Sequence, residues 1–182
     1  MVTDKLKIND MKTEFLIIGT KQQLKKLNTD KLLVGDSIIR PTSTARNLGV
    51  IFDENMSLSH HINNTCKLAF YSIHNIRSIR KYLSVEASRT LVHSVVMGRL
   101  DYCNSLLYGL PAKSLSKLQR VQNAAARLIT NTPKYNHVTP VLRTLHWLPI
   151  KQRVIYKIVI MSFKAIYGLA PDYISNLVSI QQ

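Results

Sequence analysis

Residues 46–79, RNLGVIFDENMSLSHHINNTCKLAFYSIHNIRSI, change hydrophobic period partway along, and that change decides the fold class. Up to Phe52 the apolar residues form one short run of strand length, RNLGVIF. Beyond Asp53, Leu58, Ile62, Cys66, Ala69, Ile73, Ile76 and Ile79 recur at intervals of three and four, the signature of one face of an amphipathic helix. Lys67, Arg77, Arg80 and Lys81 fall mostly off that stripe. Upstream there are only short runs: EFLIIG at residues 14–19, then Lys31 to Val34 and Ser37 to Ile39, parted by Gly35-Asp36, a favourable hairpin turn.

Downstream the spacing stays helical. Ser84 is placed to cap a helix carrying Leu91, Val92, Val95 and Val96 to about Gly98, with Glu86 favourable near the positive end of its dipole. Leu115, Leu118, Val121, Gln122, Ala125, Leu128 and Ile129 form the next stripe, closed by Thr132-Pro133, and the small residues Ala124, Ala125 and Ala126 permit close approach of a neighbouring helix. A short helix from Val138 to Leu145 is stopped by Pro149. A last strong one, Ile150 to Tyr167, has Val154, Ile155, Ile158, Val159, Phe163, Ile166 and Tyr167 as its expected inner face, before Gly168 and Pro171 end it. The expected class is α+β, a small antiparallel sheet followed by a mostly α-helical bundle, with domains at residues 1–56 and 57–182. Proteolysis is expected first at residues 53–57 or in the loop 131–137.

Charge follows the same division. Residues 1–57 carry nine Lys or Arg against seven Asp or Glu, whereas residues 58–182 carry sixteen against three, within a formal net charge of +15. Between Tyr102 and Pro171 there is no acidic residue, while ten basic ones accumulate, Lys134 among them. Such a field attracts a polyanion and makes its binding depend on salt.

The remaining features exclude more than they assign. A chain of 182 residues that is 46% hydrophobic can bury a core, yet no apolar run approaches the roughly 18 to 20 residues of a membrane span. The N-terminus has neither signal- nor transit-peptide character, so a soluble intracellular protein, cytoplasmic or nuclear and without a membrane partner, is expected. Cys66 and Cys103 lack any C-x-x-C context and are expected as small buried apolar groups. His60, His61 and Cys66 come close together without the further ligands a zinc site needs, so no metal site is expected. No nucleophile elbow and no phosphate-cradling glycine loop occurs.

Three blocks stand in fixed order: DYCNSLLYGLP at residues 101–111, LQRVQNAAARLI at 118–129 and LHWLPI at 145–150. Together with KINDMKTEFLIIG at 7–19 and ARNLGVIFDENMSLSHHI at 45–62, they resemble the region that follows the catalytic motifs in reverse transcriptases of LINE-type (non-LTR) retrotransposons, the jockey-like and chicken-repeat-like groups. The resemblance covers nearly the whole chain and implies the end of a polymerase palm followed by a thumb. In that family paired aspartates hold two divalent ions for nucleotidyl transfer. No Asp-Asp pair occurs here, so the expectation is a partial copy, inactive alone, whose full-length parent would need Mg²⁺ while this chain binds no cofactor. The implied partners are an RNA/DNA template-primer duplex and the upstream polymerase and endonuclease domains of the parent.

The resemblance also assigns residues. Lys12 matches a lysine that protonates the leaving pyrophosphate, and Asn9 and Thr13 fit the pattern around it. Leu48, Gly49, Val50 and Ile51 match the primer-grip turn and strand, where glycine allows close backbone approach. A thumb works through sugar-phosphate contacts, for which Arg77, Arg80, Lys81, Lys113, Lys117, Arg120 and Arg127 are the candidates. Tyr102 and Tyr108 are candidates for stacking, Trp147 for core packing, and Asn104 and Asn123 for helix-end or inter-helix hydrogen bonds. The alternative is a basic helical module that binds nucleic acid, or protein, with no catalytic activity.

Overall fold

A computed structural model describes residues 12–27, 31–35 and 37–178. Asn9 and Asp36, singled out above, lie outside the described residues. The architecture is α+β and divides into two compact units, residues 1–61 and 62–182.

In the first unit β1 (Phe15–Leu16) is followed by α1 (Lys21–Leu24), β2 (Leu32–Val34), β3 (Ser37–Ile39), β4 (Pro41–Thr42), β5 (Thr44–Asn47) and β6 (Val50–Asp53). The expected hairpin forms, with Leu32 opposite Ile39 and Val34 opposite Ser37. The helix α1 is not legible in hydrophobic spacing. Its signal is a capping box, in which Gln23 N–H donates to Thr20 Oγ1 at 3.3 Å and Thr20 N–H to Gln23 Oε1 at 2.9 Å.

Two strand expectations are corrected. Among the described residues the strands make three separate two-stranded ladders rather than one antiparallel sheet, and β1 pairs with β4 in parallel. Residues 46–52 are likewise not one strand. They are the two arms of the β5–β6 hairpin, with Arg46 opposite Ile51 and Asn47 opposite Val50. Leu48 and Gly49 turn it at φ 45° and 82°, the positive pair that a two-residue hairpin loop demands and that leucine adopts only under strain.

Asp53 closes this unit's last strand. Its buried carboxylate accepts from the Asn55 N–H at 3.3 Å, the Ser57 N–H at 2.9 Å and the Ser57 hydroxyl at 3.1 Å. Residues 53–57 are thereby held as a turn, which removes them as the first site of proteolysis. The loop 131–137 stays open, with Tyr135 87% exposed. A non-specific protease such as proteinase K should therefore cut first within 131–137, and mass spectrometry showing a first cut at 53–57 would contradict the turn.

The second unit is helical. It comprises α2 (Ser59–Ile79, begun in the first unit), a 3₁₀ turn Arg80–Tyr82, α3 (Val85–Val92), a π stretch His93–Met97, α4 (Gly98–Asp101), a 3₁₀ turn Asn104–Leu107, α5 (Ala112–Thr130), α6 (Val138–Thr144), α7 (Ile150–Ile166) and α8 (Asp172–Ser175). Ser84 caps α3 as expected, accepting from the Ala87 N–H at 3.1 Å. From the α2 stripe Ile62, Ala69, Ile73 and Ile76 are buried, Cys66 is half-buried and Ile79 is exposed. From α5, Leu118, Val121, Gln122, Ala125, Leu128 and Ile129 are all buried, and α3, α6 and α7 pack around that helix. Trp147 is buried and meets His93 edge-on at 6.4 Å between ring centroids.

The face expected of α7 is a further correction. Ile150, Val154 and Ala165 are buried, whereas Ile155, Val159, Phe163, Ile166 and Tyr167 are exposed. The helix is apolar around most of its circumference, so spacing alone does not select the side that packs on α5 and on the Asn104–Leu107 turn.

The second and third ordered blocks meet through hydrogen bonds, and the first is tied to α7 by an ion pair. Gln119 Oε1 accepts from the Ile150 N–H at 2.8 Å, satisfying an otherwise orphaned donor in the first turn of α7. Fully buried Gln122 donates to the Leu148 carbonyl at 2.9 Å and accepts from Gln119 Nε2 at 2.8 Å. Asp101, the last acid before the basic stretch, holds Arg153 through two hydrogen bonds, that from Nε being 2.8 Å long. This is the sole ion pair among the described residues.

Candidate functional site

The helices α2 and α5 run side by side in the same direction. Lys117 Nζ donates to Asn63 Oδ1 at 2.7 Å near their starts, and Arg80 meets the Leu128 and Ile129 carbonyls near their ends. Between them lies a groove of about 880 Å³. On α2, Phe70 and Arg77 are seven residues apart and so share a face, and Lys81 follows just past the helix end. On α5, Arg120, Ala124, Arg127 and Asn131 repeat at intervals of four, three and four on the facing side. Lys134 joins them from the following loop.

Six cationic residues thus line one groove, Arg77, Arg80, Lys81, Arg120, Arg127 and Lys134, and among the described residues no acidic one does. The apolar part of the lining is Phe70, Ala124 and Leu128, and its neutral polar part is Asn123, Asn131 and Thr132. Ala124 keeps the middle of the groove open, since a long side chain there would fill it.

Five of the seven phosphate-contact candidates lie in this groove. Arg80 is among them but is spent differently. Its Nε donates to the Leu128 carbonyl at 3.1 Å, its Nη2 to the Ile129 carbonyl at 3.0 Å and its Nη1 to the Leu83 carbonyl at 2.9 Å. The last carbonyls of α5 have no partner within their helix and carry the negative end of its dipole, so the guanidinium serves as a C-terminal cap and fixes one edge of the groove. Arg127 gives Nη2 to the Asn136 carbonyl at 3.0 Å and tethers the loop that carries Lys134. Arg77, Lys81, Arg120 and Lys134 are the exposed cations.

Lys113 and Lys117 do not line the groove. They continue the Arg120–Arg127 face toward the start of α5, so the four basic positions span about 21 Å at 1.5 Å per residue. Lys134, Phe70 and Asn123 complete the site without having been placed in it by the sequence. Lys134 was visible only as one member of the acid-free stretch, and Phe70 had no signal beyond its position off the buried stripe.

Lys12 is exposed ahead of β1, and Leu48, Gly49, Val50 and Ile51 occupy the tip and second arm of the β5–β6 hairpin, with Leu48 82% exposed and Val50 buried. All five belong to the first unit. Tyr102 and Tyr108 are exposed on either side of the Asn104–Leu107 turn and outside the groove. Asn104 Nδ2 donates to Asp101 Oδ1 at 3.4 Å at the end of α4, a helix-end role as expected, whereas Asn123 Oδ1 accepts from Gln119 Nε2 at 2.8 Å within α5 itself, neither at a helix end nor between helices.

Cys66 is half-buried on α2. Burial pushes its thiol pKa up, outweighing the downward pull of Lys117 and Arg120. Among the described residues no helix is long and apolar enough to cross a membrane, and no group of three or more His, Cys, Asp or Glu is placed to hold a metal ion. In comparisons with known proteins, no family model, curated protein or solved structure matches the chain, which leaves the chemistry of the groove to carry the functional reading.

Proposed function

We propose that the helical unit binds the sugar-phosphate backbone of nucleic acid through the α2–α5 groove, without reading base sequence. The observation that supports it is the gathering of six cationic residues on one groove with no acid among them. Flexible, exposed Arg and Lys heads on rigid helices contact phosphates wherever they fall along a strand, which suits backbone binding. The five sequence blocks extend the reading. They make the chain the end of the palm and the thumb of a LINE-type reverse transcriptase, with an RNA/DNA template-primer as ligand. Having no Asp-Asp pair, it has no polymerase activity of its own. Lys12 and the Leu48–Gly49 tip are then remnants of the palm.

The test is a salt titration of binding to a short mixed-sequence RNA·DNA hybrid, followed by fluorescence anisotropy. About five phosphate contacts give a log-log slope of roughly −4.5 at about −0.9 per contact. A hybrid of unrelated sequence should give the same slope. Binding of neither the hybrid nor a single strand at low salt, or binding indifferent to salt, would sink the proposal. A second reading, a protein-interaction module, is favoured by the exposed apolar side of α7, where Val159 is 56% and Phe163 52% exposed. It predicts association with a protein and none with nucleic acid.

A further inference from the structure

We infer that the α2–α5 groove takes an unpaired nucleic-acid strand, with a base stacked on Phe70, in preference to a fully paired duplex. This rests on the proposed binding of nucleic acid and goes beyond it by naming the form of the ligand. Phe70 lies off the buried stripe of α2, is 42% exposed and lines the groove alongside the cations. Its ring is therefore not spent on the core. A duplex keeps its base faces stacked inside and presents sugars and phosphates, so an aromatic ring in the lining loses water against it and meets no π surface. An unpaired strand offers a base face and a backbone together.

A cationic groove joined to an aromatic platform holds such a strand whatever its sequence, because every base has a π face. Asn123 adds to the fit. With its Oδ1 taken up by Gln119 Nε2 at 2.8 Å, its amide N–H groups remain as donors within the same lining. Arg80, which bonds the end of α5 through two carbonyls, fixes one edge of the groove and so ties its two walls together.

The experiment compares a fluorescein-labelled single-stranded RNA of mixed sequence with the blunt RNA·DNA hybrid of the same length, using the whole chain. The single strand should bind several-fold more tightly. Phe70→Leu keeps the apolar bulk and removes the π face, so it should weaken single-strand binding about tenfold while hybrid affinity and the salt slope stay unchanged. Phe70→Trp should retain or raise single-strand affinity, and circular dichroism should show the same helicity in both variants. Equal affinity for strand and hybrid, or full single-strand affinity in Phe70→Leu, would overturn the inference and leave a groove that reads backbone alone. Binding to neither probe by the unaltered chain would instead overturn the proposed function itself.

Discussion

With Arg77, Lys81, Arg120 and Lys134 all replaced by glutamine, the salt slope for hybrid binding should flatten by about three to four, and affinity at low salt should fall on the order of a hundredfold. All four side chains are exposed and line the groove, so their removal takes away charge and leaves the packing of α2 and α5 intact. Arg80 and Arg127 are left in place because their guanidinium groups bond backbone carbonyls, and replacing them would mix lost contacts with lost structure. Net charge alone could produce part of the effect, and a control on α7 separates the two. Lys151, Lys157 and Lys164 are exposed and lie outside the groove. Their joint replacement by glutamine should flatten the slope by less than about one. Comparable losses in the two variants would mean that diffuse surface charge, rather than the groove, attracts the polyanion.

The second large effect belongs to Gln122, which has no exposed surface and ties α5 to the segment that begins α7. Gln122→Leu fills nearly the same volume but leaves the Leu148 carbonyl without its donor, so stability should fall by about 2 kcal/mol. Gln122→Glu should cost more, about 3 kcal/mol or above. It removes the same donor, places a carboxylate in a site with no cation among its hydrogen-bond partners, and opposes the Leu148 carbonyl with negative charge. A carboxyl in that position is held above its ordinary pKa, so the penalty of Gln122→Glu should be small in acid and grow as pH rises through the carboxylate range. Thermal unfolding followed by circular dichroism measures the order. A leucine variant as stable as the parent would show that the Gln119–Gln122 network does not hold these blocks together.

Much of the fold was legible because it is local. The three-and-four spacing of Leu118, Val121, Ala125 and Leu128 describes a helix whatever it packs against, and each of these residues is buried. The Ser84 cap and the pairing of Leu32–Val34 with Ser37–Ile39 are equally short-range, needing only neighbours within a few residues. Where the reading went astray, a local pattern admitted two outcomes. The run RNLGVIF has the apolar content of one strand, and only the positive φ at Leu48 and Gly49 turns it into a hairpin. In α7, with apolar residues on most sides, Val154 and Val159 are indistinguishable by period, yet one is buried and the other exposed.

The sequence by itself determined the α+β order, the approximate spans of α2, α5, α6 and α7, the acid-free basic stretch and the buried stripe of α5, because each depends on side-chain polarity repeated along its own segment. The tertiary structure alone decided which charges act together. Arg77 and Arg120 are forty-three residues apart, and they share a groove because α2 and α5 lie side by side with their basic faces turned to the same space. It also diverted Arg80 from solvent to the carbonyls at the end of α5 and turned Phe70 into that groove. Periodicity specifies that a helix has a polar face and an apolar one. Which other helix each face meets is set by packing across the whole unit, and the site exists only at that level.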